Sequence, residues 1–152
     1  MKRCGKQILA LAVLVTLVFS LGATALAAGV TDMPAANYWS YTALNAAVTN
    51  NLLKGDNNNK LNPEANLKRA EMAAIVNRAF GSVQAADISK FADVSKNAWY
   101  YSDIAKAVQM GTFTGYGSDT MKPESSITRQ EAFVVLARAI RLANVDTSVL
   151  DK

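Results

Sequence analysis

An internal repeat constrains the fold of this chain more than any other feature. Residues 39–80 correspond without a gap to residues 99–140, sixty positions later. The two copies share Trp39/Trp99, Tyr41/Tyr101, Ala47/Ala107, Val48/Val108, Gly55/Gly115, Pro63/Pro123, Glu64/Glu124, Arg69/Arg129, Glu71/Glu131, Arg78/Arg138 and Ala79/Ala139. A unit of this length cannot bury an apolar face alone, so we expect the two units to share one core.

Each copy contains two segments whose apolar residues recur at helical spacing. The four stripes are Trp39, Leu44, Ala47, Val48, Leu52; then Met72, Ile75, Val76, Ala79, Phe80; then Trp99, Ile104, Ala107, Val108; and finally Ala132, Val135, Leu136, Ala139, Ile140. Residues three and four positions apart lie on one face of a helix. The pattern predicts an all-α fold in which tandem helix–loop–helix repeats pack into a shared helical bundle.

The second helix of each copy opens on the same Arg-x-Glu pattern. Thr128 and Glu131 have the spacing of a capping box, in which each side chain bonds a backbone amide at the helix start. In the first copy Lys68 replaces the threonine, and Asn66 is the nearest substitute for the lost cap. Glu71 and Glu131 therefore have a structural role as caps. An arginine at this position meets the positive end of the helix dipole.

Because capping does not need that arginine, Arg69 and Arg129 are the first candidates for a functional role. The alternative is an arginine–glutamate pair on the surface. Arg78 and Arg138 lie late in their helices, where a cation complements the helix dipole, and we interpret them as structural.

The first 27 residues have the layout of a secretory signal peptide. Lys2, Arg3 and Lys6 precede a nearly unbroken apolar run over residues 8–21, and small residues of the cleavage-site type follow, so we expect cleavage after Ala27. The run is short for a bilayer span of about 20 apolar residues, which disfavours the alternative of a retained membrane anchor.

Removal of the signal peptide changes what composition implies. The whole chain has 16 basic and 12 acidic residues, but three basic ones lie in residues 1–27 and leave a net charge of +1. This balance gives no support to nucleic-acid binding. The only cysteine, Cys4, also leaves, and the chain has no histidine, the commonest general base and metal ligand. We therefore predict a disulfide-free exported protein, with no membrane contact after cleavage, that is not an enzyme and needs no cofactor.

The repeat spacing also sets the predicted boundaries. We expect a first unit over 28–81, a linker over 82–90 and a second unit over 91–142. Residues 143–152 would lead toward a third unit, because the chain stops close to where a third copy would start.

A loop beginning at Asp56 resembles a calcium loop, but its sixth and twelfth positions hold Leu61 and Leu67 instead of glycine and glutamate, so no metal site is predicted.

The sequence resembles a pair of S-layer homology (SLH) modules. The second copy carries the Phe91-Ala92-Asp93-Val94 opening, Trp99, the loop Gly115-Tyr116-Gly117-Ser118-Asp119-Thr120-Met121-Lys122-Pro123, and Ile127-Thr128-Arg129-Gln130-Glu131. The first copy departs more, with Val30-Thr31-Asp32-Met33, Gly55-Asp56-Asn57 and Lys68. The likeness extends over 30–142, and the ordered set occurs twice.

The resemblance implies a function that spacing alone does not. SLH modules usually occur in threes that form a pseudo-trimeric helical bundle. They anchor exported proteins to a secondary cell-wall polysaccharide attached to peptidoglycan, often through a pyruvylated sugar. By this resemblance the ligand-binding residues would be Arg69, Arg129, Trp39, Trp99, Gly55, Gly115, Asp32, Asp93 and Lys68, arranged in grooves between neighbouring modules.

Each of these residues also has a structural interpretation. The tryptophans could belong to the core, Asp32 and Asp93 could organise the entry turns, and Lys68 could add a charge to the groove or partly block it. The second copy, which matches the family better, is expected to have the better-defined groove. Two other functions stay open: an assembly module of a surface layer, contacting copies of itself or a third module without a sugar ligand, and the N-terminal part of a larger extracellular enzyme.

Overall fold

The computed structural model describes residues 29–142, in which four α-helices follow one another. They are α1 (Tyr41–Thr49), α2 (Arg69–Ala79), α3 (Tyr101–Gln109) and α4 (Arg129–Leu142). Within this range the only extended pairings are two isolated bridges, so the predicted all-α fold is confirmed. No helix of residues 29–142 is long and apolar enough to cross a bilayer. The predicted signal peptide and the 143–152 segment lie outside the described residues.

Helix α2 is the centre of the fold, because it packs against both α3 and α4. Because two neighbouring helices pack on α2, its buried residues lie on more than one face. They are Arg69, Ala70, Met72, Ala73, Ala74, Val76 and Asn77. Four of these are alanine or valine, whose small side chains let α3 approach closely. The prediction that Ala79 and Phe80 continue the buried stripe is wrong, because both are exposed at the end of α2.

Helix α1 differs from its counterpart α3. Helix α3 buries Ile104, Ala105 and Ala107 against α2 and its surroundings, whereas α1 has no buried residue. Within residues 29–142, α1 packs closely against no other helix. The prediction that α1 buries an apolar stripe is therefore wrong for this part of the chain. Helix α3 is covered by α2, whereas no described helix covers α1.

The two tryptophans lie in turns just before α1 and α3. The amide of Tyr41 donates to the carbonyl of Tyr38 at 3.0 Å, and the amide of Tyr101 donates to that of Ala98 at 3.1 Å. Trp39 is 85% exposed and Trp99 is 60% exposed. The prediction that they join the helical stripes is wrong, since each turn directs the indole away from the core.

The segment between the two units contributes to the core. Ile88 is 1% exposed, and the amide of Ala86 donates to the carbonyl of Ala105 in α3 at 3.0 Å. Phe91, at the opening of the second unit, is also buried. The segment has no regular secondary structure, so helical periodicity gave no signal for Ile88.

Candidate functional site

The start of α2 docks on a loop of the second unit. The amides of Arg69 and Ala70 donate to the carbonyls of Ser125 and Pro123, each at 2.9 Å. The amide of Ile127 donates in return to the carbonyl of Leu67 at 2.9 Å. The first amides of a helix lack partners within the helix. Here the other unit supplies two of those partners, so the prediction that Asn66 substitutes for the cap is wrong.

The side chain of Arg69 extends into the second unit and is only 6% exposed. Its Nε donates to the carbonyl of Met121 at 3.0 Å, and its Nη1 contacts Glu131 Oε1 at 3.1 Å. The guanidinium also lies 4.4 Å from the ring centroid of Tyr116 and 5.2 Å from that of Phe113. Among residues 29–142 none of these hydrogen bonds uses Nη2, so within this part of the chain that nitrogen can still donate to a further acceptor.

Glu131 joins this contact to the start of α4. Its Oε2 accepts from the amide of Thr128 at 2.9 Å, while the Thr128 hydroxyl accepts from the amide of Glu131 at 3.2 Å, which are the two bonds of a capping box. Its Oε1 accepts from the hydroxyl of Tyr116. The bond from Tyr116, the bonds from Thr128 and the charge of Arg69 lower the pKa of Glu131 from 4.5 to about 2. Burial and the bond to Glu131 raise the pKa of Tyr116.

This depressed pKa makes the stability of the fold depend on pH. A carboxyl whose pKa is lower in the folded state stabilises that state above its unfolded pKa. We expect the contribution of Glu131 to be complete above pH 4.5 and to disappear as the pH falls toward 2. Urea unfolding at several pH values should show that the difference between wild type and Glu131→Gln is large at pH 6 and vanishes near pH 2.

The aspartates with lowered pKa values, Asp32, Asp56 and Asp87, stabilise the fold in the same acid range. They are present in both proteins, so the difference between the two unfolding curves isolates Glu131. A difference that stayed constant with pH would contradict a charged role for this carboxylate.

A cavity of about 180 Å³ lies beside the Arg69–Glu131 pair. It is lined by Arg69, Thr112, Phe113, Thr114, Gly115, Tyr116, Gln130, Glu131, Val134, Val135 and Arg138. Arg138 Nη1 lies 3.4 Å from the carbonyl of Thr112 and makes no ion pair among the described residues. Lys122 Nζ lies 4.8 Å from the ring centroid of Tyr116. Among the lining residues two arginines, Arg69 and Arg138, face one carboxylate, Glu131, so the cavity favours an anionic ligand whose oxygens can accept from guanidinium donors.

The shape of the loop that forms one wall depends on Gly115. Its φ is +80°, and a Cβ there would lie 2.8 Å from the Phe91 ring and 2.9 Å from the carbonyl of Thr120. In the first unit, a Cβ at Gly55 would lie 2.8 Å from the backbone of Asn59. Both glycines are needed for tight loops, and only Gly115 lines the cavity.

The predicted aspartates bind loop backbone in both units. Asp93 accepts from the amide of Met121 at 3.0 Å and from that of Lys122 at 2.6 Å. Asp32 accepts from the amides of Leu61 and Asn62 at 2.7 and 2.8 Å. Each carboxylate thus joins the opening of its unit to a loop about thirty residues later, and Asp93 fixes the carbonyl of Met121 that Arg69 binds.

The other predicted residues lie outside the cavity. Arg129 is exposed and has its guanidinium 5.9 Å from the Phe133 ring centroid. Lys68 Nζ pairs with Glu124 at 2.6 Å, which raises the pKa of Lys68, while its amide donates to Glu71 at 2.7 Å. Trp39 and Trp99 are absent from the lining. The cavity therefore forms around Arg69 of the first unit and not around Arg129 of the second. The loop that faces Arg69, which carries Gly115 and Tyr116, is part of the described chain.

Of the lining residues, only Arg69 and Gly115 were predicted as ligand contacts, and those that the prediction missed include Tyr116, Gln130 and Arg138. From the sequence we interpreted Arg138 as a structural cation. Because Arg78 and Arg138 occupy the same repeat position, the sequence could not show that only Arg138 borders the cavity. Within residues 29–142, no group of three acidic or sulfur side chains is placed to hold a metal ion.

Comparison with known proteins agrees with the repeat. The profile of the S-layer homology domain matches residues 31–73 and 90–133. The chain is 36% identical over 122 residues to the surface-layer 125 kDa protein of Lysinibacillus sphaericus, covering 77% of this chain and 10% of that protein. It is 29% identical to endo-1,4-beta-xylanase A of Thermoanaerobacterium saccharolyticum, covering 70% and 9%. A cellulosome-anchoring protein of Acetivibrio thermocellus is 34% identical over 47% of this chain and 16% of its own length.

Proposed function

Because the chain belongs to the S-layer homology domain family, we propose that it is a non-catalytic module that anchors an exported protein to the bacterial cell wall. The family places the protein at the cell surface. The chain spans about a tenth of the length of the surface-layer and xylanase relatives. We therefore propose that such a module carries a larger surface protein, with a third unit, either a further module or another copy, completing a pseudo-trimer.

The proposed ligand is an acidic secondary cell-wall polysaccharide attached to peptidoglycan, such as one with a pyruvylated sugar. The observation that carries this proposal is the cavity in which Arg69 and Arg138 face a single carboxylate, Glu131. A ligand carboxylate would accept from Arg138, and from Nη2 of Arg69. A guanidinium can bind a carboxylate through two parallel hydrogen bonds. Arg69 would keep its position, because Met121 and Glu131 already hold its other nitrogens.

The remaining candidates have different roles under this proposal. Gln130 offers both a donor and an acceptor for sugar hydroxyls, and Val134 offers an apolar wall. The exposed indoles of Trp39 and Trp99 are candidates for packing on sugar rings farther along a polymer. Asp93 acts by positioning the loop. Arg129 and Gly55 stay candidates for further grooves, and Lys68, which pairs with Glu124, stays a candidate beside Arg69.

Co-sedimentation with purified cell-wall sacculi tests the proposal. Half of the sacculi are stripped of their secondary polysaccharide with acid, and the exported form (residues 28–152) is added to both. Binding should disappear with the polymer, and free pyruvate or salt should compete with it. Equal binding to both preparations would point to peptidoglycan itself, and binding to neither would reject the anchoring function for these two units.

The repeat provides a matched pair of variants for the same assay. Arg138→Ala should weaken wall binding by about tenfold to a hundredfold, because a hydrogen bond to a charged group contributes about 1.5–3 kcal/mol. Arg78→Ala removes the equivalent arginine of the first unit. Arg78 does not line the cavity, and its Nη1 donates to the carbonyl of Leu52 at 3.1 Å. This variant should bind the wall like wild type. Equal loss in both variants would assign the effect to helix structure instead of ligand contact.

A further inference from the structure

Lys122 lies beside the cavity without lining it. Its ammonium is 4.8 Å from the ring centroid of Tyr116, which lines the cavity, and the guanidinium of Arg69 is 4.4 Å from the same centroid. Lys122 is exposed and makes no ion pair with a carboxylate of residues 29–142. A cation with no charged partner in this part of the chain therefore adjoins one wall of the proposed binding site.

The backbone at Lys122 has a conformation that lysine rarely adopts. Its φ is +53°, and its amide is held in place by the carboxylate of Asp93 at 2.6 Å. The repeat places Asn62 at the equivalent position, with a φ of +51° and its amide bound by Asp32 at 2.8 Å. Asparagine tolerates this left-handed conformation better than lysine does. Backbone preference therefore explains the asparagine but not the lysine, and strained residues of this kind cluster at binding sites.

The loop directs this side chain toward the same neighbouring position in both units. In the first unit, Asn62 Nδ2 donates to Asp56 Oδ2 at 3.2 Å. Asp56 is the equivalent of Tyr116, over whose ring the ammonium of Lys122 lies. The first unit thus satisfies this pair within the loop. In the second unit the aromatic face attracts the charge but is not a conventional acceptor, so the ammonium can still donate hydrogen bonds to a ligand.

Building on the proposed wall binding, we propose that Lys122 is a second ligand contact, outside the cavity, for an acidic group on the sugar next to the one in the cavity. Arg69 and Arg138 bind the first acidic group. Because Lys122 does not line the cavity, the group that it binds lies on a neighbouring sugar. An ammonium is a compact charge, so it binds a carboxylate or a phosphate without the paired geometry of a guanidinium. The site therefore selects a polymer that is acidic at two adjacent sugars.

Lys122→Asn tests this role, because it gives position 122 the residue type of the first unit. Co-sedimentation over a series of sacculus concentrations should show binding weakened about twofold to fivefold, the effect of losing one exposed ion pair. Binding should also become less sensitive to salt. The melting temperature should stay close to that of wild type, because relief of the left-handed lysine offsets the lost contact with Tyr116. Lys122→Arg keeps the charge and should bind like wild type.

Lys90→Asn is the matched control. Lys90 is also exposed, and its ammonium lies 4.9 Å from the ring centroid of Phe91, which does not line the cavity. This variant removes the same charge from the same unit and should bind the wall like wild type. Equal loss of binding in the two variants would assign the effect to net charge and overturn the proposal. Loss of binding by Lys122→Asn together with a lower melting temperature would also overturn it, because the lysine would then be structural.

Soluble competitors identify the second acidic group. Acetate and inorganic phosphate are added to the same assay at equal ionic strength. The anion that displaces wild type more readily than Lys122→Asn corresponds to the group that Lys122 binds, and equal displacement of both proteins would overturn the contact. Wild-type protein that does not sediment with sacculi would reject the anchoring function and this contact with it. Wild-type binding that Lys122→Asn leaves unchanged would overturn the role of Lys122 alone.

Discussion

Arg69→Ala should lower the free energy of unfolding by about 3 kcal/mol, the loss typical of removing one partner from a buried ion pair. The substitution leaves Glu131 without its cation, the carbonyl of Met121 without its donor, and the faces of Tyr116 and Phe113 without the guanidinium. All of these groups belong to the second unit, whereas Arg69 belongs to the first. Urea denaturation followed by circular dichroism measures the effect.

Arg129→Ala is the matched control, because it removes the equivalent arginine from an exposed site. A surface substitution of this kind changes stability by less than about 0.5 kcal/mol. Equal destabilisation by both substitutions would mean that the arginine stabilises its own helix and does not join the units. If Arg69→Ala left stability unchanged, the buried contact with Glu131 would contribute nothing to the fold.

Gly115→Ala should be comparably damaging, with a loss of about 3 kcal/mol from overpacking together with a left-handed backbone. A methyl group there would lie 2.8 Å from Phe91 and 2.9 Å from the carbonyl of Thr120. Phe91 is buried and cannot move freely, so the loop that carries Tyr116 must shift. We expect the substitution to lower both thermal stability and wall binding.

Gly117→Ala separates the two causes. Gly117 also has a positive φ, +63°, but a Cβ there meets no atom within 4 Å. Only the backbone cost remains, about 1 kcal/mol. Thermal melts of both variants should therefore rank Gly115→Ala well below Gly117→Ala. Equal melting temperatures would show that backbone conformation, and not the contact with Phe91, requires glycine at position 115.

The sequence alone determined the features that depend on local periodicity and on the repeat. Apolar residues three and four apart located the four helices, and the spacing of Thr128 and Glu131 matched the capping hydrogen bonds that form. Motifs shared by the two copies carried the family resemblance, which the profile match confirmed. These features are encoded within short windows, so they do not depend on which surfaces meet.

Only the tertiary structure decided what each copy of a repeated residue does. Arg69 and Arg129 occupy the same position in the repeat, yet one is buried beside Glu131 and the other is exposed. In the same way α3 has buried side chains and α1 has none. Arg138 borders the cavity, whereas Arg78 does not. The physical reason is that burial and charge pairing depend on the neighbouring unit. A periodic pattern predicts which face of a helix can be covered, and the packing of the units decides whether it is.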